Sequence, residues 1–194
     1  INKLALQDKS GFVLQNLQSH LEISSTFMKF GDLNIRTPYS DIDADSINMH
    51  FDTFSDFTPP EVYDRVLFNL NFTHSKLNTI DLGYFSDFFW RNSQIFDLSG
   101  KFKGLLSNLN GNDFVVAWGE HSYVAGDFDM NGLPNAQETF LIFDLKELIT
   151  NAKDLSSLNL PRNTKISLPS KLNKLQNFRY KGNFTGFFND FVVN

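Results

Sequence analysis

Cysteine is absent from the 194 residues, so disulfides and thiolate metal sites are excluded and no redox compartment can be read from thiols. An excess of basic charge is also missing. The 17 Lys and Arg stand against 22 Asp and Glu, a formal net charge of -5, without the basic stripe of an ordinary nucleic-acid binder. No apolar run approaches the roughly 18 residues that a membrane helix needs. Catalytic signatures are lacking too. His20, His50, His74 and His121 show no paired spacing of the kind that binds zinc. There is no G-x-S-x-G elbow and no Walker or G-x-G-x-x-G phosphate loop. Carboxylates such as Glu61 and Asp64 fall in polar turns, where charges are ordinarily just solvated. These absences point to a protein that is not an enzyme and uses no cofactor.

Phenylalanine and asparagine are abundant. There are 22 Phe against 5 Tyr and 2 Trp, and Asn is roughly one residue in nine, while Pro is held to 6. Such a chain reads as strands and polar turns rather than a helical bundle. Period-2 alternation runs from end to end. Phe68, Leu70 and Phe72 share a face, with Asn69 and Asn71 opposite. Leu33-Asn34-Ile35-Arg36, Ile47-Asn48-Met49-His50-Phe51 and Phe178 to Gly186 alternate likewise, Phe114, Val116 and Trp118 share one parity, and so do Val124, Gly126, Phe128 and Met130. These patterns predict half-buried antiparallel strands, punctuated by turns such as Asn110-Gly111-Asn112 and Thr58-Pro59-Pro60. Two short helices are expected: one over 79–90 with Thr79 as cap, and one over 145–152 with Asp144 as cap. G-x-F-x-G followed by N-D-F-V-V occurs twice, over about 98–116 and 180–193, which suggests an internal repeat within one β-rich unit, 1–194.

Asp127-Phe128-Asp129-Met130-Asn131-Gly132, with Glu138 last, fits the spacing of a calcium loop. Pro134 in the loop and the strand-like alternation through Phe128 and Met130 favour an ordinary hairpin, and no bound metal is expected. Asp41-Ile42-Asp43-Ala44-Asp45 is a poorer match, with Ser46 where glycine is needed. Asn71-Phe72-Thr73 and Asn183-Phe184-Thr185 have the form of glycosylation sequons but read as alternating strand residues.

Several segments carry a resemblance. Residues 98–109 (LSGKFKGLLSNL), 126–140 (GDFDMNGLPNAQETF) and 168–193, together with 33–42 and 80–89, resemble the TamB branch of the AsmA-like proteins in its Bacteroidetes-like form. The resemblance implies a curled antiparallel sheet, a "β-taco", with an apolar interior and one or two short helices. It implies an internal or C-terminal slice of a periplasmic protein whose inner-membrane anchor lies elsewhere. Its function would be to move phospholipid, or to help outer-membrane proteins assemble, between the two membranes. The partners implied are phospholipid acyl chains and, through the full-length parent, an outer-membrane protein of the TamA type. Groove-lining candidates are Phe68, Leu70, Phe72, Phe102, Phe114, Val116, Trp118, Phe128, Met130, Phe184 and Phe191.

Magnitudes agree with a trough. Exposing about 30 methylenes of two acyl chains costs on the order of 24 kcal/mol, at about 0.8 each. Leaving ten Phe in water costs roughly 15–30 kcal/mol, above a domain's whole stability of about 5–15. An apolar face of this kind therefore needs a cover. The alternative is a closed β-sandwich serving as an adhesin or carbohydrate-binding module. Sugar sites expose Trp or Tyr beside polar groups, whereas this chain is dominated by Phe.

Overall fold

Alternating apolar and polar residues produce one sheet. In the computed structural model, which describes residues 1–84, 93–135, 138–160, 164–165, 177–187 and 190–193, eleven strands pair antiparallel in a meander. They are β1 (Leu4–Gln7), β2 (Val13–Ile23), β3 (Phe27–Arg36), β4 (Asp41–His50), β5 (Leu67–Asn78), β6 (Ile95–Leu105), β7 (Asn108–Trp118), β8 (Ser122–Asn131), β9 (Phe140–Thr150), then β12 (Phe178–Phe187) and β13 (Asp190–Val193). A separate two-stranded hairpin, β10 (Asn159–Leu160) with β11 (Thr164–Lys165), lies in the connection between β9 and β12. The helices are short: α1 (Glu61–Arg65), α2 (Thr79–Leu82) and α3 (Ala152–Ser157), with a 3-10 turn at Phe54–Phe57. The eleven strands belong to one curled sheet rather than to the two facing sheets of a sandwich.

The curl has a local cause. Register shifts occur at Gln18/His20, Asp41/Ala44/Ser46, Phe72/Ser75, Ser99/Lys101, Gly111/Phe114, Ala125/Gly126 and Tyr180/Gly182. They fall at the same height on successive strands. A bulge bends its strand and increases its twist, so a row of bulges creases the whole sheet. Asp32 and Asp113 take positive φ at this crease, 47° and 49°. Gly100 sits there at φ 131°, a conformation open only to glycine. At Gly126 the constraint is distance: a Cβ would collide with the Asp144 carbonyl oxygen and stand 3.0 Å from Leu145 Cα. Leu33, Ala44, Phe114 and Leu145 are buried at the crease, while Val66, the most buried apolar residue, lies with Phe51 at the connection between β4 and β5.

The bulges also correct the sequence reading of 145–152. That segment is not a helix capped by Asp144. Residues 140–150 form β9, and the helix starts later, at Ala152, with Asn151 as N-cap. Leu141, Phe143 and Leu145 alternate, and the bulge then shifts the inward parity to Leu148. The resulting spacing imitates a helical one. The other expected helix is present only as α2, capped by Asn78, whose Oδ1 accepts from Ile80 N at 3.0 Å. Residues 85–92 lie outside the described set.

The G-x-F-x-G echo has a structural counterpart. Gly100, Phe102 and Gly104 on β6 and Gly182, Phe184 and Gly186 on β12, offset by 82 residues, occupy equivalent places beside β5 and β9. The N-D-F-V-V halves are not equivalent: Phe114 opposes Gly126, whereas Phe191 opposes Gly186.

Glycine substitutions test the crease. Gly126→Ala should destabilise the fold by about 1–3 kcal/mol, the cost of forced overpacking. Gly31→Ala should be neutral or stabilising by up to about 1 kcal/mol, because its Cβ would meet nothing closer than 3.7 Å. Urea unfolding midpoints of the two variants measure the difference, and equal midpoints would remove the crease argument.

Candidate functional site: the inner face of the sheet

Directly paired residues of antiparallel strands share a face, so the register can be followed as rows across the sheet. One row runs Leu21, Phe30, Ile47, Leu70, Phe102, Gly111, Phe128, Phe143, Phe184, Val193, from β2 to β13. A second, two residues along each strand, runs Ile23, Met28, Met49, Phe68, Gly104, Leu109, Met130, Leu141, Gly186, Phe191. At the crease a third row alternates large and small: Leu33, Ala44, Phe72, Gly100, then Phe114, Gly126, Leu145, Gly182. Beyond it Leu98, Val116, Val124, Leu148 and Tyr180 form a fourth. None of these positions holds a charge. At about 4.8 Å per strand, the first row is roughly 43 Å long.

Rings connect the rows. Phe72 meets Phe102 at 5.9 Å, Phe102 meets Phe128 at 6.0 Å, Phe128 meets Phe143 at 5.6 Å, and Phe143 meets Phe184 at 6.0 Å between centroids. Phe114 packs on Phe128 at 5.3 Å. The pairs are tilted or edge-to-face, each contributing about 0.5–1.5 kcal/mol beyond burial. Most of these side chains are only half-buried, because they pack sideways on one another and not against a second layer.

Among the described strand residues, charge lies on the outer face and forms cross-strand pairs. Arg36 spans Asp41 and Asp43, Lys29 meets Glu22 at 3.3 Å, Lys76 meets Asp97 at 3.6 Å, and Arg179 meets Glu147 at 3.1 Å. The asparagines lie here too, Asn71 donating to Asp45 and Asn34 to Asp43. The outer face has apolar exceptions in Phe140, Ile142, Phe187 and Val192 near one edge. The residues of the calcium-loop pattern also lie on this side of the sheet or in its turns. Asp127 accepts from Asp113 N at 2.7 Å and pairs with Lys146 at 3.3 Å. Asp129 accepts from Asn110, Asn131 ends β8, and Glu138 lies in the following turn. No cluster of three metal-ligating side chains occurs among the described residues.

All eleven groove candidates fall on inner-face rows or extend them. Phe68, Leu70, Phe72, Phe102, Phe114, Val116, Phe128, Met130 and Phe184 are in the rows above, and Trp118 lies one step past Val116, where its indole nitrogen is buried without a hydrogen-bond partner. Phe191 has the matching register, but its side chain lies outside the described residues. Missing from the sequence reading were Leu21, Phe30, Leu109, Leu141 and Phe143. Phe143 escaped because the segment beginning one residue later read as a helix.

One end of the trough is held by two matching polar clasps. On α2, Asp81 is buried and accepts from Thr37 Oγ1 at 2.6 Å and from Ser40 Oγ. On α3, Asp154 is buried and accepts from Ser122 Oγ at 2.7 Å, His121 N at 3.0 Å, Glu120 N at 3.3 Å and Asn151 Nδ2 at 3.0 Å. Asn78 accepts from Ile80 N and Asn151 from Asp154 N to cap the two helices, and the caps are 73 residues apart, as are the two aspartates. Burial pushes the Asp154 carboxyl up, but the hydrogen bonds from Ser122, His121, Glu120 and Asn151 outweigh it and hold it below the ordinary aspartate value of 3.8. At the opposite end Asp56 is held low by Thr53 N–H against a smaller desolvation, with further help from Asp52 N–H and Arg65.

Compared with family models, curated proteins and solved structures, the chain gives no match. No helix among the described residues is long and apolar enough to cross a membrane.

The clasp makes a pH prediction. A carboxyl depressed in the folded state contributes stability that is present above its unfolded value and lost as pH falls through the folded one. Asp154 should therefore contribute fully above about pH 4 and lose its contribution below it. Asp154→Ala should cost about 2–3 kcal/mol at neutral pH, since it leaves buried donors unpaired, and should flatten the acid limb. Thermal melts from pH 2 to 7 check both, and an unchanged acid limb would contradict the assignment.

Proposed function

We propose that the inner face is a passive binding surface for lipid acyl chains, used as a conduit or scaffold in the periplasm between two membranes. What supports this is the absence of hydrogen-bonding side chains and charges from the first two rows, over ten strands. A polar occupant such as a sugar or a peptide backbone would lose its water there with nothing in return. A hydrocarbon loses none. The rows also have the right scale, because two acyl chains end to end span about 30 Å and the first row is longer. The resemblance to TamB proteins supplies the setting, with an outer-membrane assembly protein of the TamA type as partner of a longer parent chain. No catalytic step is involved.

Lipid mass spectrometry on protein purified from membranes tests the reading. Stoichiometric phospholipid is expected, and a lipid-free preparation would count against it. Phe128→Asp should stay folded by circular dichroism, since water reaches an open trough, yet lose bound lipid by at least tenfold. A folded Phe128→Asp variant carrying a full lipid complement would exclude this face as the binding surface.

A further inference from the structure

We infer that Gly111 and Phe128 form a notch that sets the clearance of the trough, so that the residue at 111 decides whether an acyl chain can lie across β6 to β8. The inference rests on the acyl-chain reading and names the positions that control it. In the first row, β7 contributes only Gly111, between Phe102 and Phe128. The Phe128 ring fills the missing place. A Cβ on Gly111 would stand 2.6 and 2.8 Å from Phe128 Cδ1 and Cζ and closer still to Cε1. The ring therefore lies down over the glycine, into the floor of the trough.

The ring can leave in one direction only. Phe102, Phe114 and Phe143 surround it at 6.0, 5.3 and 5.6 Å, and the backbone of β7 is beneath. An alanine at 111 would push it upward into the open trough. The backbone would accept that alanine, because Gly111 has no positive φ and the atoms it would meet belong to a side chain and not to the backbone. This separates it from Gly100 and Gly126, where the obstacle is backbone. The variant narrows the path without adding charge and without removing any apolar group that a chain would touch.

The test places a photocrosslinking p-benzoylphenylalanine at position 102, next to the notch, or at position 30, three strands away on the same row. Tritiated palmitate is the probe. In the otherwise unaltered protein both positions should label. Gly111→Ala should reduce labelling at 102 at least tenfold and leave labelling at 30 within twofold. Gly111→Ala with Phe128→Ala should restore labelling at 102, since removing the ring frees the space that the methyl takes. Equal labelling at 102 in folded Gly111→Ala, or no recovery in the double variant, would overturn the notch. If Gly111→Ala alone does not fold, the double variant decides: folding with labelling at 102 supports the notch, and folding without it, or failure to fold, overturns it. Labelling at neither position in the parent protein would instead refute the acyl-chain reading itself.

Discussion

The structure depends on bulges that line up from strand to strand. A long flat sheet with an apolar face would stack or aggregate. A sheet bulged at one height on β3, β4, β5, β7 and β9 curls and turns that face inward. The bend requires residues that tolerate the local backbone, which is why Asp32 and Asp113 adopt positive φ and why glycines face large residues along the crease. Strands on either side keep their alternation, so the rows continue without a break from β2 to β13. The face is continuous because the distortion recurs at one height across the sheet and each bulged strand is matched to its neighbours on both sides of it.

The same feature explains what the sequence revealed and what it concealed. Alternation in 66–73, 122–131 and 178–186 was legible because β8 and β12 cross the crease without changing parity, and β5 changes only after Phe72. β9 changes parity in its middle. Leu145, Leu148 and Ile149 then acquire the spacing of a helix face, and local sequence cannot tell a bulge from a helical turn. The groove candidates share register on one face because alternation fixes the face. They were incomplete because lateral register is a long-range property: nothing near Phe30 or Leu109 reveals which residues of a neighbouring strand lie beside them. The buried clasps were missed altogether. Asp81 and Asp154 are ordinary polar residues until the turns carrying Thr37, Ser40 and Ser122 are brought against them.

The clasps resolve a difficulty of meander sheets. A strand leaving the sheet into a long connection exposes its last carbonyls and frays. After β5 and after β9 an Asn cap starts one short helix, and an aspartate in its first turn accepts from the next turn over. Donors at these ends are satisfied without a second layer of protein. The clasps are 73 residues apart and the glycine triplets 82, and in each case the two members stand four strands apart in the sheet.

The excess of phenylalanine also follows from having one layer. In a two-layer domain a side chain packs against the opposing element, and leucine serves well. Among the described residues the neighbours of the row side chains are on adjacent strands about 4.8 Å away, and a side chain must reach sideways. A phenyl ring does so: Phe128 crosses Gly111 towards Phe102 and also touches Phe114 and Phe143. A leucine at 128 would leave the glycine uncovered. The rings thus have a packing role in the sheet before any ligand is considered. That role fixes a hydrocarbon surface on the inside of the curl, and any molecule that shares the trough must be compatible with it. Composition alone therefore does not argue for lipid. The argument lies in the first two rows, where ten strands in succession offer no polar side chain to a guest.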